Sequence, residues 1–205
     1  GQVINNDIHD ILEYYLSDKY SNKNIKQHII NNILQVCEQQ IINNIHQVFD
    51  NYLSKNKSKK QHVINKYGII HNWDVSNVTN MKNLFKNYTN FNQPLNNWNV
   101  SNVTNMDDMF FAAIQFNQPL NNWNVSNVTT MKNMFSDAKY FNQPLDSWNV
   151  SNVIDMDYMF SGATMFNQPL NNWDVSNVKT MKNMFDNAIV FNQNINNWDV
   201  SKVTN

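Results

Sequence analysis

Large apolar residues recur every 25 positions from about residue 66 to residue 205. Columns of methionine, phenylalanine, proline and alanine share this period with all the tryptophans, which are Trp73, Trp98, Trp123, Trp148, Trp173 and Trp198. Such a period is typical of stacked supersecondary units, each of which buries its apolar face against its neighbours. We therefore predict that the tryptophans form the structural core of a repeat array spanning 66–205, with about five and a half units.

Each unit contains two different apolar spacings. In the unit 91–115, the motif L-x-x-W-x-V at 95–100 alternates as in a short strand with one buried face. The apolar residues of 103–110 then follow a helical spacing, and Thr104 is placed to cap that helix. The pattern predicts turn, strand, turn and short helix. Stacking these units predicts an α/β fold, a right-handed solenoid with parallel strands on one side and short helices on the other.

The repeated string carries a family resemblance. F-N-Q-P-L-x-x-W-[DN]-V-S-x-V-x-x-M-x-x-M-F-x-x-A resembles the 25-residue subtype of the BspA-like leucine-rich repeats, over about residues 66–205. That subtype occurs in mycoplasma-type surface lipoproteins, other microbial surface proteins, protists and giant viruses, as a domain of unknown function. The resemblance implies a leucine-rich-repeat-like solenoid that serves as a recognition or surface scaffold without catalysis.

Residues 1–65 lack the repeat and predict an all-α N-terminal segment. Isoleucines recur at helical spacing in 4–15 and 25–52, the basic stretch 54–60 predicts a loop or linker, and a short helix over 61–67 should end at Gly68. One interpretation is a helical cap over the first repeat. The alternative is a helix pair that dimerises or binds a partner.

Composition and charge narrow the classes of partner. Lysine supplies all 15 positive charges, and 16 acidic residues nearly cancel them. A chain without arginine or a basic excess does not favour nucleic acid binding. No apolar run approaches the roughly 18 residues of a membrane span. Asparagine makes up 43 of the 205 residues, which indicates an AT-biased genome. We expect a virion or host-cytoplasm location, with an extracellular surface as the alternative.

Two sets of side chains are candidates for binding. The polar residues between tryptophan and valine should point away from the core. There they either bond to one another along the array or bind a glycan, peptide or cation. This candidate binding face comprises Asp74, Asn99, Asn124, Asn149, Asp174 and Asp199. Apolar residues in the variable end of each unit either line the core or form an exposed contact patch. That candidate patch comprises Phe111, Ile114, Tyr140, Met165 and Val190.

Two further polar columns carry structural predictions. Asparagines after each strand should bond turn backbone that would otherwise be buried unpaired; they are Asn102, Asn127, Asn152 and Asn177. A charged column alternates in sign from unit to unit, which predicts a ladder of ion pairs between neighbouring units. It comprises Lys82, Asp107, Lys132, Asp157 and Lys182.

No constellation of residues predicts catalysis. The sequence pairs no nucleophile with a base and shows no metal-ligand spacing of histidines, so we expect no catalytic site, no metal site and no cofactor. We expect a non-catalytic repeat scaffold for macromolecular recognition, chiefly between proteins, from a giant virus or a similar AT-rich microbe. A glycan is the alternative partner. A microbial surface adhesin and an architectural subunit of a particle or fibre are the alternative functions.

The last unit, 191–205, supplies its strand and stops before its helix. Repeat arrays normally end in a polar unit that covers the apolar stack. We therefore expect either a longer natural polypeptide or end-to-end association of two molecules at this strand. Homo-oligomers are thus expected either here or through the N-terminal helices.

Overall fold

The computed structural model describes residues 56–205, together with Val48 and Asn51, which are helical. The chain divides into two compact units, Gly1–Val63 and Ile64–Asn205. The other residues of 1–55 lie outside this description, and with them the predicted cap and dimerisation helices. The predicted division at residues 65 and 66 stays a prediction.

Helix α1 spans Lys57–Tyr67. Asn56 caps its N-terminus: the side-chain Oδ1 accepts hydrogen bonds from the N–H groups of Ser58 and Lys59 at 3.0 and 3.2 Å. This N-cap satisfies two donors that the first helical turn would otherwise leave unpaired. The helix therefore includes residues 57–60, which the sequence predicts as loop or linker, because the cap lies inside that basic stretch.

Gly68 ends helix α1. Its φ of 74° is left-handed, and its N–H donates to Ile64 O at 2.8 Å, which is the usual way for glycine to close a helix. A 3-10 turn, Ile70–Asn72, follows. The Trp73 indole N–H then donates to Gly68 O at 3.2 Å. These contacts connect the end of the helix to the first repeated tryptophan.

Successive 25-residue units, which we call coils, lie side by side and run in the same direction. Isolated parallel bridges join equivalent residues of neighbouring coils, in the series Asn80, Asn105, Thr130, Asp155 and Thr180. After each bridge, every second N–H donates to the next coil: those of Met81 and Asn83 bond to Asn105 O and Asp107 O at 2.9 Å. The backbone thus ties each coil to the next at repeated positions.

The segment predicted as a short helix is a run of turns. The N–H groups of Met109 and Phe111 donate three residues back, to Met106 O and Asp108 O at 3.2 and 3.0 Å. The alternate N–H groups, those of Asp108, Phe110 and Ala112, donate to the next coil instead. Asp108 and Ala112 have φ angles of 55° and 53°, and left-handed residues cannot continue a right-handed α-helix. The predicted helical arm is therefore not formed in the described repeats.

Left-handed residues form two columns through the array. The first comprises Asn83, Asp108, Asn133, Tyr158 and Asn183, and the second comprises Asn87, Ala112, Asp137, Gly162 and Asn187. Seven of these ten are asparagine or aspartate, which tolerate this conformation better than other residues with a side chain. At Gly162 an added Cβ would also clash with Asp137 Oδ1. Five of the 43 asparagines thus have a conformational role at these positions.

The segment predicted as a strand, 95–100 in the unit 91–115, does not form a β-strand. Its backbone turns twice, since Trp98 N–H donates to Leu95 O at 3.0 Å and Val103 N–H donates to Val100 O at 2.9 Å. Trp98 and Val100 are buried and Asn99 between them is exposed, so the expected alternation of side chains is kept. The parallel pairing lies instead in the Asn105 column.

The core consists of aromatic columns that continue from coil to coil. Trp123 and Trp148 stack at 6.4 Å between ring centroids, and Trp148 and Trp173 at 6.5 Å, with nearly parallel planes. From Trp98 onward, each indole N–H bonds to a carbonyl of the preceding coil, as Trp123 Nε1 does to Leu95 O at 2.9 Å. Trp98, Trp123, Trp148 and Trp173 are buried, while Trp73 and Trp198 are half-buried.

The described coils stack through parallel bridges and backbone hydrogen bonds, without the predicted helices and strands. The right-handed leucine-rich-repeat-like solenoid and the all-α N-terminal segment stay predictions.

Candidate functional site

The polar candidate face is a column of local turns. Each of its side chains accepts the backbone N–H of the serine two residues later, as Asn99 Oδ1 does from Ser101 at 3.1 Å and Asp174 Oδ1 from Ser176 at 3.0 Å. All six side chains are exposed, and they are Asp74, Asn99, Asn124, Asn149, Asp174 and Asp199. These hydrogen bonds lie within each coil. The hypothesis that the polar residues bond to one another along the array placed them between coils.

The three carboxylates of this face have lowered pKa values. The hydroxyl and the backbone N–H of Ser76 lower the pKa of Asp74, and those of Ser176 lower the pKa of Asp174. The N–H and hydroxyl of Ser201 lower the pKa of Asp199 in the same way. Hydrogen bonds to the ionised form are the cause in each case, so these side chains carry a fixed negative charge at neutral pH.

The predicted contact patch divides into two parts. Tyr140, Met165 and Val190 are 51%, 48% and 41% exposed, whereas Phe111 and Ile114 are half-buried. The exposed three occupy the same position in three successive coils, and we call them the apolar stripe. The apolar stripe is therefore an exposed patch, as one of the two interpretations expects. Phe111 and Ile114 are instead partly buried.

Half-buried Phe111 belongs to a polar contact. Lys86 Nζ lies 4.8 Å from the centre of its ring and 3.0 Å from Asp108 Oδ1. A cation over an aromatic face is attracted by the ring quadrupole, so Phe111 has a partner within the array. That contact separates it from the apolar stripe.

Sequence reasoning missed one exposed apolar residue beside the stripe. Ile189 is 78% exposed and directly precedes Val190. It belongs to the same variable segment as Val190, and that position in the coil was the available signal. Ile189 extends the apolar surface at the last coil of the stripe.

A second missed feature is a ladder of side-chain amides. In each coil the asparagine of the F-N-Q-P motif accepts two hydrogen bonds from the next coil: Asn117 Oδ1 accepts from Asn142 N–H at 3.0 Å and from Gln143 Nε2 at 2.9 Å. We call this set the amide ladder, and it comprises Asn92, Asn117, Asn142, Asn167, Gln118, Gln143, Gln168 and Gln193. The unchanged N-Q pair was the sequence signal.

The amide ladder borders the apolar stripe. Phe141 is fully buried between exposed Tyr140 and half-buried Asn142, so residues 140 and 142 both lie on the solvent side of the chain. The Phe141 ring stacks on that of Phe166 at 6.0 Å, and Phe166 on that of Phe191 at 5.9 Å. Stripe and ladder residues precede and follow these rings, so both repeat once per coil.

The asparagines after each tryptophan motif bond the backbone of the preceding coil. Asn102 Nδ2 donates to Ser76 O at 2.8 Å, and Asn127 Nδ2 donates to Ser101 O at 2.7 Å. Asn152 and Asn177 make the equivalent bonds. These side chains pair turn carbonyls, as the sequence predicts.

The alternating charged column forms ion pairs two coils at a time. Lys82 Nζ lies 3.7 Å from Asp107 Oδ2, and Lys132 Nζ lies 3.7 Å from Asp157 Oδ2. Between the pairs, Asp107 Oδ1 accepts from Thr130 Oγ1 at 2.5 Å and from the Lys132 N–H at 3.1 Å. The repeating electrostatic unit is therefore two coils long.

Asp155 is the one described group with a raised pKa. Burial is the main cause, and the neighbouring charge of Asp157 adds to it, while the Asp157 N–H donates to Asp155 Oδ1 at 2.9 Å and opposes the shift. Lys132 also opposes it. Ionised Asp155 is thus a locally unfavourable charge within the stack.

The part of the chain that the structure describes has neither a cluster of potential metal ligands nor a helix suited to span a membrane. Residues 56–205, Val48 and Asn51 contain no group of three histidine, cysteine, aspartate or glutamate side chains placed to hold a metal ion. Among the same residues, no helix has the length and apolar character needed to cross a bilayer.

Comparison with known proteins identifies a family. The family described as "Mycoplasma protein of unknown function, DUF285" matches residues 43–155 and 125–205. No curated protein matches the chain, and no solved structure does. The predicted BspA-like family is confirmed by this match, while the 25-residue subtype and the link to giant viruses stay predictions. The chain belongs to the DUF285 family of repeat proteins, whose function is unknown.

Proposed function

We propose that this protein is a non-catalytic repeat scaffold that recognises another protein through the apolar stripe. The exposure of Tyr140, Met165 and Val190 on three successive coils carries the proposal. A row of exposed apolar side chains with a polar border is typical of interaction sites, and tyrosine and methionine are enriched in them. We place the protein in a giant virus or a similar AT-rich microbe, because of its asparagine-rich, arginine-free composition.

Backbone hydrogen bonds between coils hold two of the three stripe residues in place. Tyr140 N–H donates to Ile114 O at 3.2 Å, and Met165 N–H donates to Lys139 O at 3.1 Å. The residue after each stripe position is a phenylalanine of the stacked core. A stripe held on both sides loses little conformational freedom on binding, which favours affinity without a large contact area.

The test compares the full chain with two variants as baits in extracts of the source cells or particles. In the stripe variant, Tyr140, Met165 and Val190 are each replaced by serine. The control carries Ile154→Ser and Val200→Ser, which remove apolar side chains that are 41% and 50% exposed outside the stripe. Circular dichroism confirms that all baits fold.

We expect the stripe variant to lose at least about tenfold of the captured partner, since central apolar residues dominate interface affinity. The control should retain it. Equal capture by the stripe variant and the unmodified chain would reject the stripe as the recognition site. Purified pairwise binding should then reproduce the ranking of the three baits.

An architectural subunit of a particle or fibre is a second candidate function. The amide ladder is nearly identical from coil to coil, and such uniformity suits repeated mechanical support better than recognition of one partner. Electron microscopy of purified particles with an antibody against this chain tests it. Regular labelling of a particle shell or fibre supports this role, and exclusively soluble labelling counts against it.

A further inference from the structure

Met165 differs from every other methionine of the chain in its exposure to solvent. All ten methionines lie in the described repeats. Met165 is 48% exposed, whereas Met181 is half-buried and each of the other eight is at most 4% exposed. A dissolved oxidant therefore reaches the Met165 side chain directly, but reaches the eight buried side chains only after the stack opens locally.

The repeat does not require a methionine at position 165. The equivalent residues of the other coils are Asn90, Gln115, Tyr140 and Val190, whereas the buried methionines keep to two fixed columns of the core. The Met165 side chain thus belongs to the apolar stripe and not to the core. A chemical change at its sulfur should alter the surface and leave the stacked rings in place.

The backbone around Met165 is held on both sides. Its N–H donates to Lys139 O at 3.1 Å, and the next residue, Phe166, is fully buried and stacks on Phe141 and Phe191 at 6.0 and 5.9 Å. These contacts involve main chain and a neighbouring ring, and none of them uses the methionine sulfur. The exposed side chain can therefore be modified without loss of the bonds that fix its position.

Oxidation converts the apolar thioether of methionine into a polar sulfoxide. With hydrogen peroxide, the sulfur lone pair attacks one peroxide oxygen, and the S–O bond forms as the O–O bond breaks. The oxygen on sulfur gives its proton to the departing oxygen, which leaves as water, and the peroxide gains the two electrons that sulfur loses. A dithiol-dependent reductase reverses the change, because the dithiol is oxidised to a disulfide and the sulfoxide oxygen leaves as water.

The position of Met165 makes this change consequential for the stripe. Tyr140 lies one coil before it and Val190 one coil after it, so a sulfoxide would place a polar group between the two remaining apolar side chains. The sulfoxide oxygen accepts hydrogen bonds from water. Covering it with an apolar surface costs free energy unless that surface supplies a donor.

We propose that Met165 is a site of reversible oxidation by peroxides, and that its sulfoxide turns off binding of apolar surfaces to the stripe. The loss of binding to a protein partner rests on the proposed function, since it regulates the same stripe. Selective oxidation needs no partner. Oxidation of a core methionine would instead insert a polar group into the stack and disrupt it, so the exposure of Met165 permits a switch that leaves the fold intact.

The first experiment measures the rate of oxidation at each methionine. The full chain with Cys37→Ser, which removes its single thiol, is treated with graded hydrogen peroxide, and peptide mass mapping locates the sulfoxides. We expect Met165 to react at least about tenfold faster than any of the eight buried methionines. In guanidinium, where the stack is unfolded, all ten should react at similar rates. A buried methionine that reacts as fast as Met165 in the folded chain overturns the assignment.

The second experiment measures how the sulfoxide changes the stripe after the peroxide has been removed. Retention of the folded chain on a phenyl-substituted matrix reports its exposed apolar surface, and circular dichroism confirms the fold. The chain oxidised at Met165 should elute earlier, as Met165→Ser does, and should regain its retention after treatment with a sulfoxide reductase and a dithiol. Met165→Leu is the matched control, since it keeps a similar apolar volume without sulfur. Unchanged retention of the oxidised chain, or an equal shift in peroxide-treated Met165→Leu, overturns the switch.

The same chains then serve as baits in extracts of the source cells or particles. Loss of at least about tenfold of the captured partner by the oxidised chain, but not by peroxide-treated Met165→Leu, supports the switch. Equal capture by oxidised and untreated chains overturns it, and recognition by the stripe stands if the stripe variant still loses the partner. If the stripe variant captures as much as the unmodified chain, the proposed function fails, while the oxidation site is still decided by the first two experiments.

Discussion

Replacing Trp123 with alanine tests whether the coils depend on one another as a linear stack. Its side chain is 3% exposed and lies between two aromatic neighbours, 6.4 Å from the Trp148 ring and 6.3 Å from that of Phe110. Removing a buried tryptophan should cost about 3–5 kcal/mol through lost transfer energy and the cavity. The hydrogen bond to Leu95 O adds little, because Trp98 N–H also donates to that carbonyl.

Trp198→Ala is the matched comparison. Its indole makes the same type of hydrogen bond, to Leu170 O at 2.9 Å, and it too lies 6.3 Å from one tryptophan and one phenylalanine, Trp173 and Phe185, but the side chain is half-buried. With less apolar surface buried and a partly open cavity, we expect a loss of about 2 kcal/mol. The two substitutions should therefore differ by roughly a factor of two.

Guanidinium unfolding followed by circular dichroism measures both losses. In a stack where each coil contacts only its neighbours, an inner change weakens two interfaces, so Trp123→Ala should also broaden the transition and lower its m-value. Equal losses at the two positions, with unchanged cooperativity, would contradict nearest-neighbour stacking as the source of stability.

Three further predictions concern single positions in the stack. Asp155→Asn keeps the acceptor for the Asp157 N–H and removes a charge whose pKa is raised, so it should increase Tm at pH 7. Protonation removes the unfavourable charge of Asp155, so the gain in Tm should vanish as the pH falls below 3.8, the ordinary pKa of aspartate. A gain that does not depend on pH would refute the buried charge as its cause. Ala112→Asn at φ 53° should stabilise by about 1 kcal/mol in urea titration, and a loss would contradict the left-handed assignment. Gly162→Ala should cost about 1–2 kcal/mol in the same assay, through its φ of 69° and a clash with Asp137; an unchanged midpoint would argue against both.

The sequence predicts which residues are buried better than it predicts their backbone. The tryptophan, methionine and phenylalanine columns are buried through the inner coils because apolar area decides burial whatever the local conformation. The spacing of Met106 and Met109 predicts a helix, but turns that close every three residues also return side chains to one face. The signal against a helix is the asparagine or aspartate that fills seven of the ten positions in the two columns where φ is positive.

The candidate sites show the same division. Exposure of Tyr140 and Met165 depends on how far the chain protrudes after each turn, and period alone does not determine that distance. Phe111 is half-buried through its contact with Lys86, a residue of the preceding coil. The sequence does not indicate the amide ladder, because asparagine and glutamine beside proline are typical of ordinary surface loops. Its meaning emerges only when equivalent atoms of neighbouring coils are placed together.

The two-coil period of the ion pairs restricts how this gene can change length. The backbone bonds are equivalent at every coil junction, so recombination between repeats that removes 25 codons would leave those bonds intact. Such a deletion would, however, bring Lys82 opposite Lys132, or leave Asp107 opposite Asp157. Loss or gain of 50 codons preserves every lysine–aspartate pairing. Selection should therefore favour descendants whose repeat number differs by two.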